Sequence, residues 1–371
     1  MAADEIQKHK IEVQLGARSY EISIAAGLLQ NAGELLAAKL KGRRCLVVTD
    51  RNVGPKYGPQ LAQSLQRAGF DGSLAELPPG EGAKNLEVAK FLYERCLDAN
   101  LDRESCLVAL GGGVIGDLTG FVAATFYRGI PFVQIPTTLL AMVDAAIGGK
   151  TGVDHPKAKN AIGAFHQPRA VLSDLLTLNT LPERELKAGL AEVIKYGLID
   201  DAALFALIEE NVERLLAREG PKLAEVIARC AAIKARIVSE DEREESGARA
   251  LLNFGHTFAH ALETATNYQT YLHGEAVALG LAAAAALSVA QQALAPAERD
   301  RILAVLTKAG LPVKLKPGDP DPATLYRAMF KDKKLAAGKL RFVVAEGLGK
   351  AKVVTDVSEQ VINQAIAGLR V

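Results

Sequence analysis

The sequence predicts an α/β protein followed by a helical domain. Three features indicate this: short apolar runs that end in Asp or Gly, helix-like segments between those runs, and continuous helical periodicity after about residue 180. Strands that alternate with helices are typical of a doubly wound, mainly parallel sheet. A chain of 371 residues suits two domains. We place the boundary near Leu181-Pro182, which predicts an α/β domain over residues 1–180 and an all-helical domain over residues 181–371.

The elements of the first half follow one another in a regular order. Alternating apolar residues on both sides of a GARS turn predict a β-hairpin over about 11–24. Helices are predicted over about 55–69 and 85–99. Apolar runs predict further strands at 43–50, 73–77, 105–113 and 132–138.

The second half of the sequence has a different residue pattern. Segments rich in Ala, Leu, Glu and Arg carry the helical period from 181 onward, and only RFVVAE at 341–346 looks like a strand. The most apolar stretch, Ala276 to Ala290, falls short of the roughly 20 residues that span a membrane. Its Ala and Gly content predicts a helix that packs tightly inside the protein.

Composition excludes several classes of partner. The net charge is +1, whereas a protein that binds nucleic acid usually has an excess of basic residues. The N-terminal segment has no apolar signal-peptide core, and Cys45 and Cys106 lie in apolar runs. None of the four cysteines, which include Cys96 and Cys230, forms a C-x-x-C pair. We therefore expect buried free thiols and a cytoplasmic enzyme with no nucleic-acid or membrane partner.

A glycine-rich turn follows the strand at 105–113. GGGVIGD, from Gly111 to Asp117, contains G-x-G-x-x-G, a pattern in which backbone N–H groups and a helix N-terminus approach a pyrophosphate. The pattern occurs in mid-chain and not after the first strand, so a tight strand–helix turn without a ligand stays an alternative. Asp50, at the end of an earlier strand, suits either ribose hydroxyls or a helix cap.

Two further groups of polar residues suggest a ligand. The segment from Asp144 to Asn160 places Lys150, Lys157 and Lys159 between glycines, which fits either a phosphorylated ligand or a solvated loop. Glu192 and three of the six histidines provide a common catalytic zinc set of two imidazoles and one carboxylate. The spacing leaves open whether His256 pairs with His260, one helical turn away, or with His273.

These motifs, in this order, resemble the 3-dehydroquinate synthase family over nearly the whole chain. Several are long and specific to that family. The segments that carry the resemblance are VTDRNV, PPGEGAKN, GGGVIGDLTGFVAATFYRG, IPTTLLAMVDAAIGGKTGVDHPKAKNAIGAFHQP, LNTLPERELKAGLAEVIKYG, NFGHTFAHALE and LHGEAVALG.

The resemblance implies a function for each motif. It implies an N-terminal NAD-binding domain, a C-terminal zinc and substrate domain with the site in the cleft between them, and a homodimer. The implied zinc ligands are Glu192, His256 and His273, with Co²⁺ as an alternative metal. The implied NAD contacts are Asp50, Asn52, Glu81, Lys84, Gly112, Gly113, Asp117, Thr137, Thr138, Asp144, Lys159 and Thr180.

The resemblance also implies the substrate, a small phosphorylated sugar acid: 3-deoxy-D-arabino-heptulosonate 7-phosphate. Transient oxidation by NAD, loss of phosphate, re-reduction and an intramolecular aldol would give 3-dehydroquinate. Implied phosphate contacts are Lys150, Asn160 and His260, with Arg128 from the second subunit and one lysine of the segment 331–342. Implied contacts to the carboxylate and hydroxyls are Lys195, Lys234, Arg249 and Asn253.

Three readings compete with this one. They are another sugar-phosphate cyclase, an NAD-linked polyol dehydrogenase, and a ligand-binding protein that retained the fold without catalysis. Arg249 and Lys234 suit a substrate that has a carboxylate, which several other cyclases do not use. The sequence departs from the family pattern at Ala145 and Ala146, where serines are expected, and at Asp154, where Asn is common. None of these three is an implied site residue.

Overall fold

The computed structural model describes residues 7–330 and 340–370. They form two compact units. The first takes in the chain up to Leu181 together with Leu223–Arg243, and the second takes in Pro182–Lys222 and the chain from Glu244 onward.

Within the described residues, the first unit contains nine strands. They are β1 (His9–Val13), β2 (Tyr20–Ala25), β3 (Arg44–Asp50), β4 (Asp71–Leu77), β5 (Cys106–Gly111), β6 (Phe132–Pro136), β7 (Lys150–His155), β8 (Ala158–Phe165) and β9 (Ala170–Asp174). Seven of them form one sheet in the order β1-β2-β9-β6-β5-β3-β4, in which only β1 and β2 pair antiparallel. The predicted doubly wound, mainly parallel sheet and its N-terminal hairpin are confirmed.

Helices cover both faces of this sheet. α1 (Ala32–Ala37) and α2 (Gly54–Arg67) lie on one face, and α3 (Leu86–Asp98) and α4 (Gly113–Thr125) on the other. Successive side chains of a strand point to opposite faces, so a strand covered on both sides must be apolar throughout. In β5, Leu107 and Ala109 enter the core under α3 and α4, while Cys106 and Val108 enter the core under α1 and α2.

The order of the strands creates a switch point in the sheet. After β3 the chain runs to β4 on one side of it and then returns to β5 on the other side. In open α/β sheets, ligands bind outside the carboxyl ends of the strands at such a point. Asp50 ends β3 and Gly111 ends β5, so both flank the switch point.

The segment expected as a polar loop from Asp144 to Asn160 is instead a hairpin. A short π-helical turn (Ala141–Ala145) leads into β7, which pairs antiparallel with β8. Lys150 begins β7, Lys157 lies in the turn, and Lys159 lies near the start of β8. Alternating exposed and half-buried residues in β8 show why the segment has no buried-strand pattern.

In the part of the chain that the structure describes, the second unit is helical with one small hairpin. Its helices are α5 (Glu183–Ile199), α6 (Ala202–Leu216), the start of α7 (Gly220–Glu240), α8 (His256–Ala265), α9 (His273–Ala290), α10 (Pro296–Lys308), α11 (Pro322–Met329) and α12 (Glu359–Ala367). The strand expected at 341–346 is β10 (Phe342–Ala345), and it pairs with β11 (Ala351–Val354), a partner that the sequence pattern does not reveal.

α9 is the apolar helix expected at the core. In the described part of the chain it alone is long and apolar enough to cross a membrane by length and composition, with a mean hydropathy of 1.4. However, 72% of it is buried inside the protein, as in the core helix of a folded unit. Its small side chains allow other backbones to approach closely.

The division into units differs from the predicted boundary in one respect. The break at Leu181 lies within one residue of it, but Leu223–Arg243 joins the first unit. There, Ser239 accepts a hydrogen bond from the backbone N–H of Gln14 (2.9 Å), and Lys234 binds Asp144. Helical periodicity identifies α7 as a helix but carries no information about the unit on which it packs.

The two-sided core of the sheet gives a stability prediction. Leu107 is fully buried in β5, so Leu107→Ala should reduce the free energy of unfolding by about 2–5 kcal/mol through lost burial and a residual cavity. Leu97→Ala is the matched control, because that side chain is 59% exposed on α3. Urea unfolding followed by circular dichroism measures both. Equal midpoints for the two variants would contradict this account of the core.

Candidate metal centre and cofactor-binding edge

Three side chains of the second unit converge on one point. Glu192 lies on α5, His256 begins α8 and His273 begins α9. Their ligand atoms all lie within 4.8 Å of one another. Glu192 Oε1 is 3.3 Å from Nε2 of His256 and 3.6 Å from Nε2 of His273.

Two glycines allow the three helices to come this close. A Cβ on Gly274 would lie 2.0 Å from the carbonyl oxygen of Ala188, so only glycine lets the start of α9 lie against α5. Gly255 has φ +80°, a conformation that favours glycine, and a Cβ there would lie 2.8 Å from the backbone of Leu281. Each glycine directly neighbours a histidine, so these close contacts fix the backbone positions from which both imidazoles project.

Both imidazoles are oriented by their second nitrogen. Nδ1 of His256 donates to the carbonyl of Phe254 (3.2 Å), and Nδ1 of His273 donates to Oε1 of Glu263 (3.0 Å). A histidine that ligates a metal usually donates its other N–H to a carbonyl or carboxylate in this way. The arrangement leaves each Nε2 facing Glu192.

The electrostatics of this cluster favour a cation. Glu192 is fully buried, and neither of its oxygens accepts a well-oriented hydrogen bond from a described residue. Burial raises its pKa, but the contact with Lys195 and the nearby His256 outweigh that effect and hold the pKa well below its ordinary value. A buried, ionised carboxylate that lacks directed hydrogen bonds fits the role of a metal ligand.

The two histidines have opposite pKa shifts. Burial lowers the pKa of His256 to about 4, so that imidazole is neutral and able to ligate at pH 7. Burial also lowers the pKa of His273, but the nearby carboxylates of Glu192 and Glu263 outweigh burial and raise it to about 10. Two carboxylates therefore attract a positive charge at the point where Nε2 of His273 meets Glu192. A divalent cation at this point would take the place of that proton.

His260 lies beside the cluster without being part of it. Its ring centre is 5.5 Å from that of His256 and 6.4 Å from that of His273. The three-donor group that the described residues form contains His273 and not His260. The sequence alone left these two pairings open, because it cannot show that the start of α9 reaches α8.

Sequence reasoning missed Glu263. It lies seven residues after His256 and three after His260, so all three share one face of α8. This spacing was the available signal. A carboxylate that follows two histidines at helical spacing predicts a partner for a ligating imidazole.

In the first unit, several implied NAD contacts lie at the carboxyl ends of the strands. Asp50 accepts hydrogen bonds from the backbone N–H groups of Asn52 (2.8 Å) and Val53 (3.1 Å). Gly112 precedes the first residue of α4, and the backbone N–H of Thr137 donates to Gly111 (2.9 Å). A Cβ on Gly113 would lie 3.2 Å from that of Ala145, a tight contact that glycine avoids. This edge has the geometry of a phosphate-binding turn.

A buried lysine links two of the predicted groups. Lys84 is 4% exposed and donates to Asp117 and to the side-chain oxygen of Asn160, both at 2.6 Å. Burial lowers its pKa, but Asp117 and further carboxylates nearby outweigh burial and raise it, so the ammonium stays charged. Glu81 pairs with Lys159 at 3.1 Å in the same region.

Hydrogen bonds and an ion pair involve several of the remaining first-unit residues that were implied to contact NAD or substrate. Nζ of Lys234 contacts Oδ1 of Asp144 (2.6 Å). Thr180 shares a hydrogen bond with the hydroxyl of Tyr57 (2.6 Å), and Thr138 accepts one from the N–H of Ala141 (3.1 Å). The structure connects Lys234, implied for substrate, with Asp144, implied for NAD.

The other implied substrate contacts occupy varied environments. Lys150 is exposed at the start of β7, and Arg128 is exposed with φ +67° after Tyr127, which has φ +48°. In the second unit, Arg249 is 2% exposed with Glu244 3.6 Å away, and Asn253 ends the same short helical turn (Ala248–Asn253). The expected phosphate lysine at 331–342 cannot be placed, because residues 331–339 lie outside the described chain.

The fold and the donor set define a class: a doubly wound α/β unit and a helical unit that carries a candidate His₂Glu metal site. Sequence models of one family cover most of this chain. The N-terminal model of 3-dehydroquinate synthase matches residues 74–188 and its C-terminal model matches residues 189–335. The chain belongs to the 3-dehydroquinate synthase family.

Curated relatives agree with this assignment. A 3-dehydroquinate synthase of Desulforamulus reducens is 50% identical over 349 residues, which is 94% of this chain and 97% of the relative. One of Pelotomaculum thermopropionicum is 49% identical over 343 residues, or 92% of each chain. The similarity therefore extends over both units.

Solved structures share the fold. A 2-epi-5-epi-valiolone synthase of Streptomyces hygroscopicus, with NAD⁺ and Zn²⁺ bound, is 33% identical with a TM-score of 0.86 and covers 94% of this chain and 96% of its own. A glycerol dehydrogenase of Schizosaccharomyces pombe has a TM-score of 0.66 at 15% identity, covers 98% of this chain and 91% of its own, and is similar in fold alone.

The position of Glu263 gives a prediction about metal affinity. Glu263→Gln should weaken binding of Zn²⁺ by roughly 10- to 100-fold, because Nδ1 of His273 loses its charged acceptor and the imidazole becomes less basic. Competition with a chromophoric chelator measures the affinity. Glu209→Gln, which removes a carboxylate paired with Arg301 in the same unit, serves as the control. Equal affinities for the two variants would show that Glu263 does not support the centre.

Proposed function

We propose that this chain is a 3-dehydroquinate synthase, which converts 3-deoxy-D-arabino-heptulosonate 7-phosphate to 3-dehydroquinate and phosphate. The observation that carries this proposal is the buried His₂Glu donor set in a chain of this family. Relatives that bear this name match more than nine-tenths of the chain. We further propose that it acts in the cytoplasm as a homodimer.

We propose NAD and zinc as its cofactors. The valiolone synthase that is 33% identical has both bound. Two imidazoles and one carboxylate are a common catalytic zinc set, and Co²⁺ accepts the same donors. When bound, zinc would supply Lewis acidity to substrate hydroxyls, and NAD would supply a temporary hydride acceptor. The proposed NAD contacts are the twelve residues implied by sequence, of which Asp50, Gly112, Gly113, Thr137 and Thr138 lie at or next to the carboxyl ends of β3, β5 and β6.

The chain's own residues divide the metal-site chemistry between them. His256 stays neutral at working pH and offers a lone pair, while Glu263 holds His273 in the tautomer that ligates. Lys195, which is 1% exposed, adds a positive charge next to Glu192. A positive charge placed there in advance would stabilise an oxyanion that develops on a substrate hydroxyl.

We assign binding of the substrate's phosphate to Lys150, Asn160 and His260 of one subunit and to Arg128 of a second. Support comes from the orientation of Asn160: its amide oxygen accepts from Lys84, so its NH₂ group is directed away as a donor. Arg128 is exposed in a left-handed conformation, an unfavourable geometry for a non-glycine residue that is often retained at functional sites. Lys, Arg and amide donors suit a dianion.

We assign the substrate's carboxylate to Arg249, with Lys234 and Asn253 for its other oxygens. A guanidinium binds a carboxylate through two parallel hydrogen bonds, which a lysine cannot reproduce. This assignment favours a sugar acid over the neutral sugar phosphates of related cyclases. The polyol dehydrogenase alternative shares the fold but does not need the phosphate donors of β7 and β8.

The reaction itself provides the first test. Purified protein with Zn²⁺ and NAD⁺ should release phosphate from the heptulosonate phosphate while absorbance at the NADH wavelength stays flat, because the nicotinamide is restored within each turnover. EDTA should abolish release. Accumulation of NADH without phosphate would mean a dehydrogenase. If neither phosphate release nor NADH is observed, the fold assignment stands and the proposed substrate is wrong.

Arg249 provides the second test. Arg249→Ala should lower kcat/KM about ten- to a hundredfold, because charge-assisted hydrogen bonds of this kind contribute about 1.5–3 kcal/mol. Arg249→Lys keeps the charge and should recover only part of the loss. Arg299→Ala, which removes a half-buried arginine paired with Asp300 in the same unit, controls for a general effect of losing an arginine. Full efficiency in Arg249→Ala would refute its assignment to the carboxylate.

A further inference from the structure

The hairpin of β7 and β8 has an irregularity at Asp154. Pairing is regular from Lys150–Phe165 to Val153–Ile162 and resumes at His155–Ala158. Between these pairs, Asp154 on β7 faces the three residues 159–161 on β8. The longer strand must therefore bulge, and the bulge contains Lys159 and Asn160, two of the residues assigned above to ligands.

Asp154 is fixed on one side and holds the bulge on the other. Its backbone N–H donates to the carbonyl of Lys84 (2.8 Å), and it forms an isolated parallel bridge with Asn85. Its Oδ1 accepts from the backbone N–H of Asn160 (2.8 Å). The side chain thus replaces the strand-to-strand hydrogen bond that the bulge interrupts.

The residue held in this way has an unfavourable backbone conformation. Asn160 has φ +50°, in the left-handed region that only glycine enters without cost. Its side-chain oxygen lies 2.6 Å from Nζ of Lys84. A lysine ammonium can only donate, so the amide oxygen faces Lys84 and the NH₂ group faces the opposite way.

These contacts form a closed ring. Lys84 is bound through its carbonyl to Asp154 and through its ammonium to Asn160, and Asp154 binds the backbone of Asn160. Breaking the link from Asp154 would free the strained backbone to relax, and the NH₂ group would lose its direction.

We propose that Asp154 is a positioning residue for the substrate's phosphate group: by accepting the backbone N–H of Asn160 it directs the amide NH₂ of Asn160 at the phosphoryl oxygens. The inference rests on the proposed function for the identity of the substrate. Asp154 itself makes no contact with the substrate and acts through Asn160.

The charge of Asp154 is compatible with a nearby phosphate. Burial raises the pKa of its carboxyl above the ordinary value, and Glu81 adds to that effect, while the N–H of Asn160 and the ammonium groups of Lys84 and Lys159 oppose it. The ammonium groups of Lys84 and Lys159 offset the charge of Asp154 toward an anion, and Oδ1 accepts from Asn160. An amide would offer the same acceptor.

The test compares Asp154→Ala with Asp154→Asn. With the acceptor lost, Asp154→Ala should raise KM for the heptulosonate phosphate about tenfold, in line with the loss of one hydrogen bond. Its kcat and its dissociation constant for NAD⁺ should stay within about twofold of wild type. Asp154→Asn retains an oxygen at the same place and should restore KM to within about twofold.

Asp102→Ala is the matched control. Asp102 likewise accepts backbone N–H groups, from Glu104 (3.0 Å) and Ser105 (2.9 Å), in the turn that precedes β5. It lies at the amino ends of the strands and is assigned no role in binding, so its KM should equal that of wild type.

Two outcomes would overturn the proposal. One is an unchanged KM in Asp154→Ala. The other is equal impairment of Asp154→Asn and Asp154→Ala, or a parallel loss of NAD⁺ affinity, because either would mean a general structural role. If wild-type protein does not turn over the heptulosonate phosphate, the proposed function fails first. Calorimetric titration with inorganic phosphate then makes the same comparison, and weaker binding to Asp154→Ala alone would still support the positioning role.

Discussion

A carboxylate with no access to water lies at the centre of the second unit, and its charge constrains everything around it. Transferring an ion such as Glu192 from water into a protein interior is costly unless positive partners surround it. Lys195 and His273 are the charged partners, and the neutral His256 brings its Nε2 within 3.3 Å of the carboxylate. The unit can bury Glu192 only if α5, α8 and α9 meet at this point. The glycines at 255 and 274 permit that meeting.

The first unit also buries a charged group, the ammonium of Lys84, and stabilises it with hydrogen bonds to side-chain oxygens. Lys84 is buried at the carboxyl edge of the sheet, and its three donors are shared between Asp117 and Asn160. The same ammonium thus joins a residue of the glycine-rich turn, proposed for NAD, to a residue of the hairpin, proposed for phosphate. A charged ammonium at this edge is accordingly part of the fold, and the ligand groups proposed for the edge are anionic.

The sequence was sufficient for elements whose pattern is local. The strands β3, β5 and β6, the first hairpin and the long helices α5 to α7 follow from apolar periodicity and turn residues. The hairpin of β7 and β8 was mistaken for a loop, because the half-exposed residues of β8 give no buried run and the glycines and lysines of the segment suggest a turn. The unit to which Leu223–Arg243 belongs was also missed, because the periodicity of a helix does not show which element it packs against.

Among the candidate metal donors, only tertiary contact distinguishes His273 from His260. The resemblance to a family supplied that choice in advance of the structure. The helical spacing of Glu263 from His256 and His260 can be read from the sequence. Its role could not be inferred, because the sequence does not show that His273 lies beside it.

The first residue of α9 is His273 of the candidate metal site, and a cation bound there would have a thermodynamic consequence. α9 is buried along most of its length, so its docking and the folding of the unit are nearly one event. A cation bound through His273 binds only where α9 is docked, and by mass action it stabilises that state. Free metal at a hundredfold excess over its dissociation constant would add about 2.7 kcal/mol to the stability of the folded unit. Cellular metal supply would then set the lifetime of the protein as well as its activity.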